Sequence, residues 1–152
     1  MLGLILVLGL AVTSVFGCPD SWLKHNGYCY LFSNIDSTFT DAADACDSHN
    51  ARLPIVESLA KHNWIVEQLK KREITNAWLG ATLMSSGKWE WIPSQERVIY
   101  TNWGSGEPNN PTTEKCLHIY GQKEFKWNDA ACTNLYKFVC EKRSSCNPCC
   151  ED

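Results

Sequence analysis

The chain has no surplus of positive charge: 14 Lys and Arg stand against 17 Asp and Glu, for a net charge of -3. A balance of that sign does not gather a phosphate backbone or an anionic bilayer, which argues against nucleic acid as a partner. No apolar run reaches the ~20 residues a membrane-spanning helix needs. The longest stretch is residues 1–12, so no membrane insertion is expected. Familiar motifs of hydrolases and of dedicated metal loops are missing as well, with no Gly-x-Ser-x-Gly, no His-Glu-x-x-His and no EF-hand spacing. Gly80 to Lys88 imitates a phosphate loop, but Trp89 follows the lysine where a hydroxyl is required. The four histidines are dispersed, which fits surface or packing roles, and no enzyme is expected. The one Asn-x-Thr triplet, Asn110-Pro111-Thr112, carries the proline that blocks glycosylation. Internal repeats and low-complexity linkers are absent too.

What is present points outside the cell. Nine cysteines in 152 residues, without obvious metal spacing, suit an oxidising compartment and a disulfide-stapled domain. The apolar run at residues 1–12, followed by Val15 and Gly17 at small positions before a cleavage point, reads as a signal peptide over 1–17, although it lacks Lys or Arg at its start. Apolar content of 44% with 20% charged residues excludes a disordered chain, and seven tryptophans indicate a compact aromatic body. The length suits one domain.

Local patterns give an α+β order. Asn26-Gly27 is a hairpin turn signal, with Tyr28, Tyr30 and Leu31 on its second strand. Phe39, Ala42, Ala43, Ala45 and Cys46 recur at helical spacing after Thr38, a candidate N-cap, and predict a helix over 39–49. Asp41, Asp44 and Asp47 read as its solvated face. A second helix follows Ser58, using Leu59, Ile65, Val66 and Leu69, and ends on Lys70-Lys71-Arg72, where cations complement the helix C-terminus. Residues 77–80, 88–92, 116–120 and 137–140 are of strand type. Trp22, Trp78, Trp89, Trp91 and Trp127 keep the apolar company of core residues.

Between these strands, residues 93–113 form a long Gly-, Pro-, Asn-, Ser- and Thr-rich stretch, the first place to look for a site. Trp103 within it reads as a buried loop anchor, with stacking on a ligand's face as the other role open to it. Oxygen donors gather in and after the stretch: Glu107, Asn109, Asn110, Glu114, Asn128 and Asp129. Carboxylates with amide carbonyls suit a hard cation such as calcium, which takes about six to eight oxygens, whereas zinc would call for His or thiolate. Pro108 between Glu107 and Asn109 allows a cis bond that would fix how the flanking side chains aim.

Over nearly all of residues 18–141 the chain resembles the C-type lectin-like domain family, through Trp78-Leu79-Gly80, Glu107-Pro108-Asn109, Trp127-Asn128-Asp129 and the order of Cys46, Cys116, Cys132 and Cys140. The resemblance implies two helices with small antiparallel sheets and a long calcium-binding loop. It implies disulfides Cys46–Cys140 and Cys116–Cys132, with the additional pair Cys18–Cys29 of the family's longer form. It also implies one principal calcium ion on Glu107, Asn109, Glu114, Asn128 and Asp129, with a sugar diol completing the shell. The Glu-Pro-Asn order resembles the mannose type, so mannose-type glycans on cell or microbial surfaces are the implied partners, and innate recognition or agglutination the implied setting. Leu83, Ser86 and Lys115 stand where relatives carry acidic residues for an auxiliary calcium, so that second site is expected to be absent. The alternative is a same-fold module that binds a protein or mineral surface, with calcium only bracing the loop.

Beyond the body, residues 142–152 form a cysteine-rich tail with Cys146, Cys149 and Cys150. The three implied pairs use six cysteines and leave an odd number, so at least one tail cysteine is expected to bridge to another chain or a small thiol. A disulfide-linked homo-oligomer would gain avidity for repetitive glycans.

Overall fold

The computed structural model describes residues 17–145. Residues 1–16 of the expected signal peptide and the tail cysteines Cys146, Cys149 and Cys150 lie outside them. In chain order the elements are β1 (Leu23–His25), β2 (Tyr28–Phe32), α1 (Phe39–Asp47), α2 (Leu59–Lys71), β3 (Asn76–Leu83), β4 (Trp89–Trp91), β5 (Glu96–Arg97), β6 (Cys116–Tyr120), a 3-10 turn (Gly121–Lys123), β7 (Lys126–Ala130) and β8 (Lys137–Arg143). The fold is α+β, as the sequence predicts.

Both helices begin where a side chain can satisfy an otherwise orphaned N–H. Thr38 accepts from the Asp41 N–H and Ser58 from the Lys61 N–H. The first helix stops at Asp47, two residues earlier than predicted, and is closed by the Ser48 N–H donating to the Asp44 carbonyl and the His49 N–H to the Cys46 carbonyl. At the end of α2, Arg72 donates to the Gln68 carbonyl at 2.8 Å, so the basic run does serve the last turn. Asn26 and Gly27 both adopt positive φ, which matches the twist of the β1–β2 hairpin.

Strands run β1-β2-β8-β3-β4-β5, and a β6–β7 hairpin is attached to β3. Pairing is antiparallel except for β3 with β8, where Ala77 and Trp78 lie parallel to Lys137 and Phe138, a departure from the purely antiparallel expectation. Alternation sends one set of side chains to each helix. Trp78, Cys116, Ala130, Phe138 and Cys140 pack with Phe39, Ala42 and Cys46 of α1, while Ala77, Leu79, Leu117, Ile119 and Val139 pack with Ile65, Val66 and Leu69 of α2. The central strands are therefore covered on both faces, which is why they read as continuous apolar runs. Trp22 and Trp89 are only partly buried against these clusters, whereas Trp78, Trp91 and Trp127 are in the core.

Gly80 explains part of the Trp-Leu-Gly motif: a Cβ there would come within 2.8 Å of the Leu53 carbonyl oxygen, and the Gly80 N–H donates to the Pro54 carbonyl at 2.9 Å. The three disulfides are Cys18–Cys29, Cys46–Cys140 and Cys116–Cys132. The second ties α1 to β8, and the third ties β6 to the turn after β7. A second tie is electrostatic. Glu141 of β8 is fully buried; its Oε1 accepts from Arg52 Nε at 3.2 Å and the Ile55 N–H at 3.1 Å, and Lys61 Nζ of α2 lies 2.9 Å from its Oε2.

Candidate functional site

Residues 93–113 are less free than their composition implies. Glu96 and Arg97 form β5 against β4, and the Val98 N–H donates to the Trp89 carbonyl. Further along, Trp127 donates its N–H to the Asn102 carbonyl at 2.9 Å and accepts from the Gly104 N–H at 2.8 Å, which stitches the loop to β7. Trp103 is half-buried between Trp89 and Trp127, at ring distances of 5.0 and 5.7 Å, and so anchors the loop. The Lys126 ammonium donates to Asn102 Oδ1 at 2.8 Å.

Asn128 and Asp129 belong to strand β7, not to a loop. Their composition argues against a strand, but pairing with β6 overrides it: Asn128 lies opposite His118 and Asp129 opposite Leu117. Alternation points Asp129 the same way as Trp127, and both are fully buried. Its carboxylate accepts the Asn109 N–H at 3.1–3.2 Å on both oxygens and the Asn110 N–H at 3.0 Å on Oδ2, so it seats the residues after Pro108. The Glu107–Pro108 peptide is cis. Asn110 also links this turn to the next donor, giving a hydrogen bond from Nδ2 to Glu114 Oε2 at 3.1 Å.

His118 lies beneath Asn128 with its ring against Tyr136 at 4.6 Å, and burial pushes its pKa down to about 4. The neutral ring accepts from Asn128 Nδ2 through Nε2 at 3.2 Å, and the same amide contacts the Asp129 carbonyl. With that nitrogen engaged, Oδ1 is the Asn128 atom suited to a cation. On the other side, Trp127 Nε1 donates to His62 Nδ1 at 3.2 Å; burial, with Lys126 second, lowers His62 to about 4.

Glu107 stands apart from the other donors. Its side chain is 1% exposed, Oε1 contacts Lys123 Nζ, and Oε2 has no hydrogen-bond partner among the described residues. Asn109, Glu114, Asn128 and Asp129 thus share one hydrogen-bonded neighbourhood, while Glu107 is turned to an ammonium. Among the described residues no three His, Cys, Asp or Glu side chains gather as a metal cluster. The donor chemistry nonetheless fits calcium: all five predicted residues offer hard oxygens, and Glu107 keeps a buried oxygen that lacks a partner. Lys123 and the orienting role of His118 escaped the sequence reading. Nothing marks Lys123 in the sequence, whereas His118 could have been found from the β6–β7 hairpin register.

Comparison with known proteins assigns the class. The family described as Lectin C-type domain matches residues 35–142, and the chain belongs to it. A perlucin-like protein from Mytilus galloprovincialis is 31% identical over 132 residues, covering 84% of this chain and 85% of the relative. Among solved structures, the mouse scavenger receptor C-type lectin carbohydrate-recognition domain is 30% identical at a TM-score of 0.75, covering 86% of this chain and all of that one. Herring type II antifreeze protein is similar to the same degree, at 29% identity and a TM-score of 0.76, over 84% of this chain and all of that one. Domains of this family are in general binding modules without catalysis, and carbohydrate is their usual ligand. No helix among the described residues is long and apolar enough to cross a membrane.

Proposed function

We propose that the protein is a secreted, calcium-dependent lectin that binds mannose-type glycans through Glu107, Asn109, Glu114, Asn128 and Asp129. The observation that carries the reading is that Asp129 seats Asn109 and Asn110, and Asn110 reaches Glu114, beside a Glu107 whose second oxygen is buried with no hydrogen-bond partner among the described residues. Calcium, when bound, supplies a hard centre on which two adjacent sugar hydroxyls complete the shell. The chain's own residues supply the rest. Carboxylates of Glu107 and Glu114 accept hydroxyl protons, and the exposed Asn109 amide donates to a hydroxyl oxygen, which sets a donor and acceptor order across the diol. His118 holds the Asn128 amide so that its oxygen is presented.

Retention on mannan in calcium, release by chelator and competition by free mannose test the reading; retention in excess chelator overturns it. The similarity to an antifreeze protein favours a second reading, in which the same loop faces a protein or mineral surface. Calcium-dependent binding that free mannose fails to compete would decide for it. Residues 1–17 as a cleaved signal peptide, 18–141 as the lectin domain and the tail from 142 as an oligomer-linking segment complete the proposal. A monomer band on both reducing and non-reducing gels, with no adduct by mass, would remove the interchain bridge.

A further inference from the structure

We infer that Lys123 is a working part of the site: its ammonium holds Glu107 in the metal-free protein and has to release it before the carboxylate can serve as a ligand. The inference rests on the calcium reading above and deepens it. A carboxylate that is 1% exposed needs a compensating cation or a full set of donors, and Glu107 has one of its oxygens on Lys123 and the other without a hydrogen-bond partner among the described residues. Lys123 differs from its partner in being 37% exposed, so it can return to water at small cost while Glu107 cannot. The geometry around the lysine favours this placement. It ends the 3-10 turn just before β7, and its stem passes Gly104, where an added Cβ would sit 3.3 Å from Lys123 Cδ. Gly104 is in turn fixed by its N–H on the Trp127 carbonyl. The lysine therefore crosses a gap kept open by a glycine and reaches the one donor that stands away from Asp129.

Two consequences follow from an ammonium and a metal sharing one carboxylate. The metal-free site is preserved instead of left with a bare buried charge, and the calcium affinity is lower than the donor set alone would give. Lys123 is a positioning residue, so its effect should show in metal affinity and not only in sugar binding.

Calcium titration by calorimetry on wild type, Lys123→Met and Lys123→Arg, each without sugar, tests this. Removal of the competing charge should tighten calcium by about threefold to tenfold in Lys123→Met, the range of a partly exposed ion pair, while Lys123→Arg stays near or above the wild-type Kd. Thermal melts add a readout that a purely structural lysine would not give. Lys123→Met should melt below wild type in chelator and regain the difference in saturating calcium. Calcium affinity that is unchanged or weaker in a folded Lys123→Met protein overturns the inference and leaves the lectin reading standing. If neither wild type nor variant binds calcium, the calcium reading falls and takes this inference with it.

Discussion

Glu141 and Glu107 are both buried carboxylates, and their surroundings separate the two halves of the molecule. Glu141 joins three parts of the fold: Arg52 and Ile55 from the segment after α1 share one oxygen, and Lys61 of α2 lies against the other. Glu107 joins its loop to Lys123, whose side chain is 37% exposed, and its other oxygen has no hydrogen-bond partner among the described residues. A charge surrounded from several elements holds structure together, whereas a charge left partly unanswered is kept for something that arrives. The first half carries the helices and two of the disulfides; the second carries the proposed site.

The largest expected effect comes from breaking the better-compensated carboxylate. Glu141→Ala strands Arg52 and Lys61 and orphans the Ile55 N–H, and should cost about 3–5 kcal/mol in denaturant unfolding in chelator. Calcium affinity measured on the folded fraction should not change. A loss below about 1 kcal/mol would erase the contrast, since Glu141 would then be no more structural than Glu107.

Where the halves meet, His62 of α2 accepts from Trp127 of β7, and it sharpens the comparison through pH. Its pKa is lowered by burial from 6.5 to about 4. The unfolded chain therefore holds more protons between those values, and stability falls as pH falls through that window, by roughly 3 kcal/mol once complete. His118 adds a slope of the same sign. Melting temperatures at pH 7, 5.5 and 4 in chelator should decline, and His62→Gln should flatten about half of the decline. A parallel decline in that variant would show that the junction does not titrate as described.

Gly80 provides a smaller test, confined to the structural half. Gly80→Ala drives a methyl toward the Leu53 carbonyl, a backbone atom that cannot swing aside, and should cost about 1–3 kcal/mol without altering calcium binding. An unchanged midpoint would mean that the backbone at Leu53 gives way freely.

The structural half was the more legible in sequence, for a physical reason. Helix caps at Thr38 and Ser58, the Asn26-Gly27 turn and the apolar strands are local signals; the structure follows the caps and the turn, and it carries β3 and β8 three residues past the predicted ends at 80 and 140. Disulfide pairing came from the family pattern, because spacing alone allows many connectivities. Strand β7 went unread because Lys, Asn and Asp are poor strand formers and only the pairing with β6 makes one of them. In the site, residue types pointed to oxygen donors, but hydrogen bonds decide where each donor sits. The separation of Glu107 from the others depends on Lys123, sixteen residues away, and no local pattern carries that contact.

The smallest expected effect on stability is the one that bears most on function. Glu107→Gln removes a buried negative charge and leaves Lys123, already partly in solvent, either an amide oxygen to contact or water. In chelator the variant should unfold within about 1 kcal/mol of wild type, on either side. In calcium the two proteins should part. Wild type gains about 2.7 kcal/mol when free calcium stands at a hundred times its Kd, because a ligand held by the folded state alone stabilises by mass action. The variant, short of one carboxylate, should gain far less at the same concentration. Paired denaturant curves with and without calcium measure both quantities in one experiment. A variant that is badly destabilised in chelator would place Glu107 beside Glu141 as a structural charge, and one that keeps the full calcium gain would take Glu107 out of the ligand set.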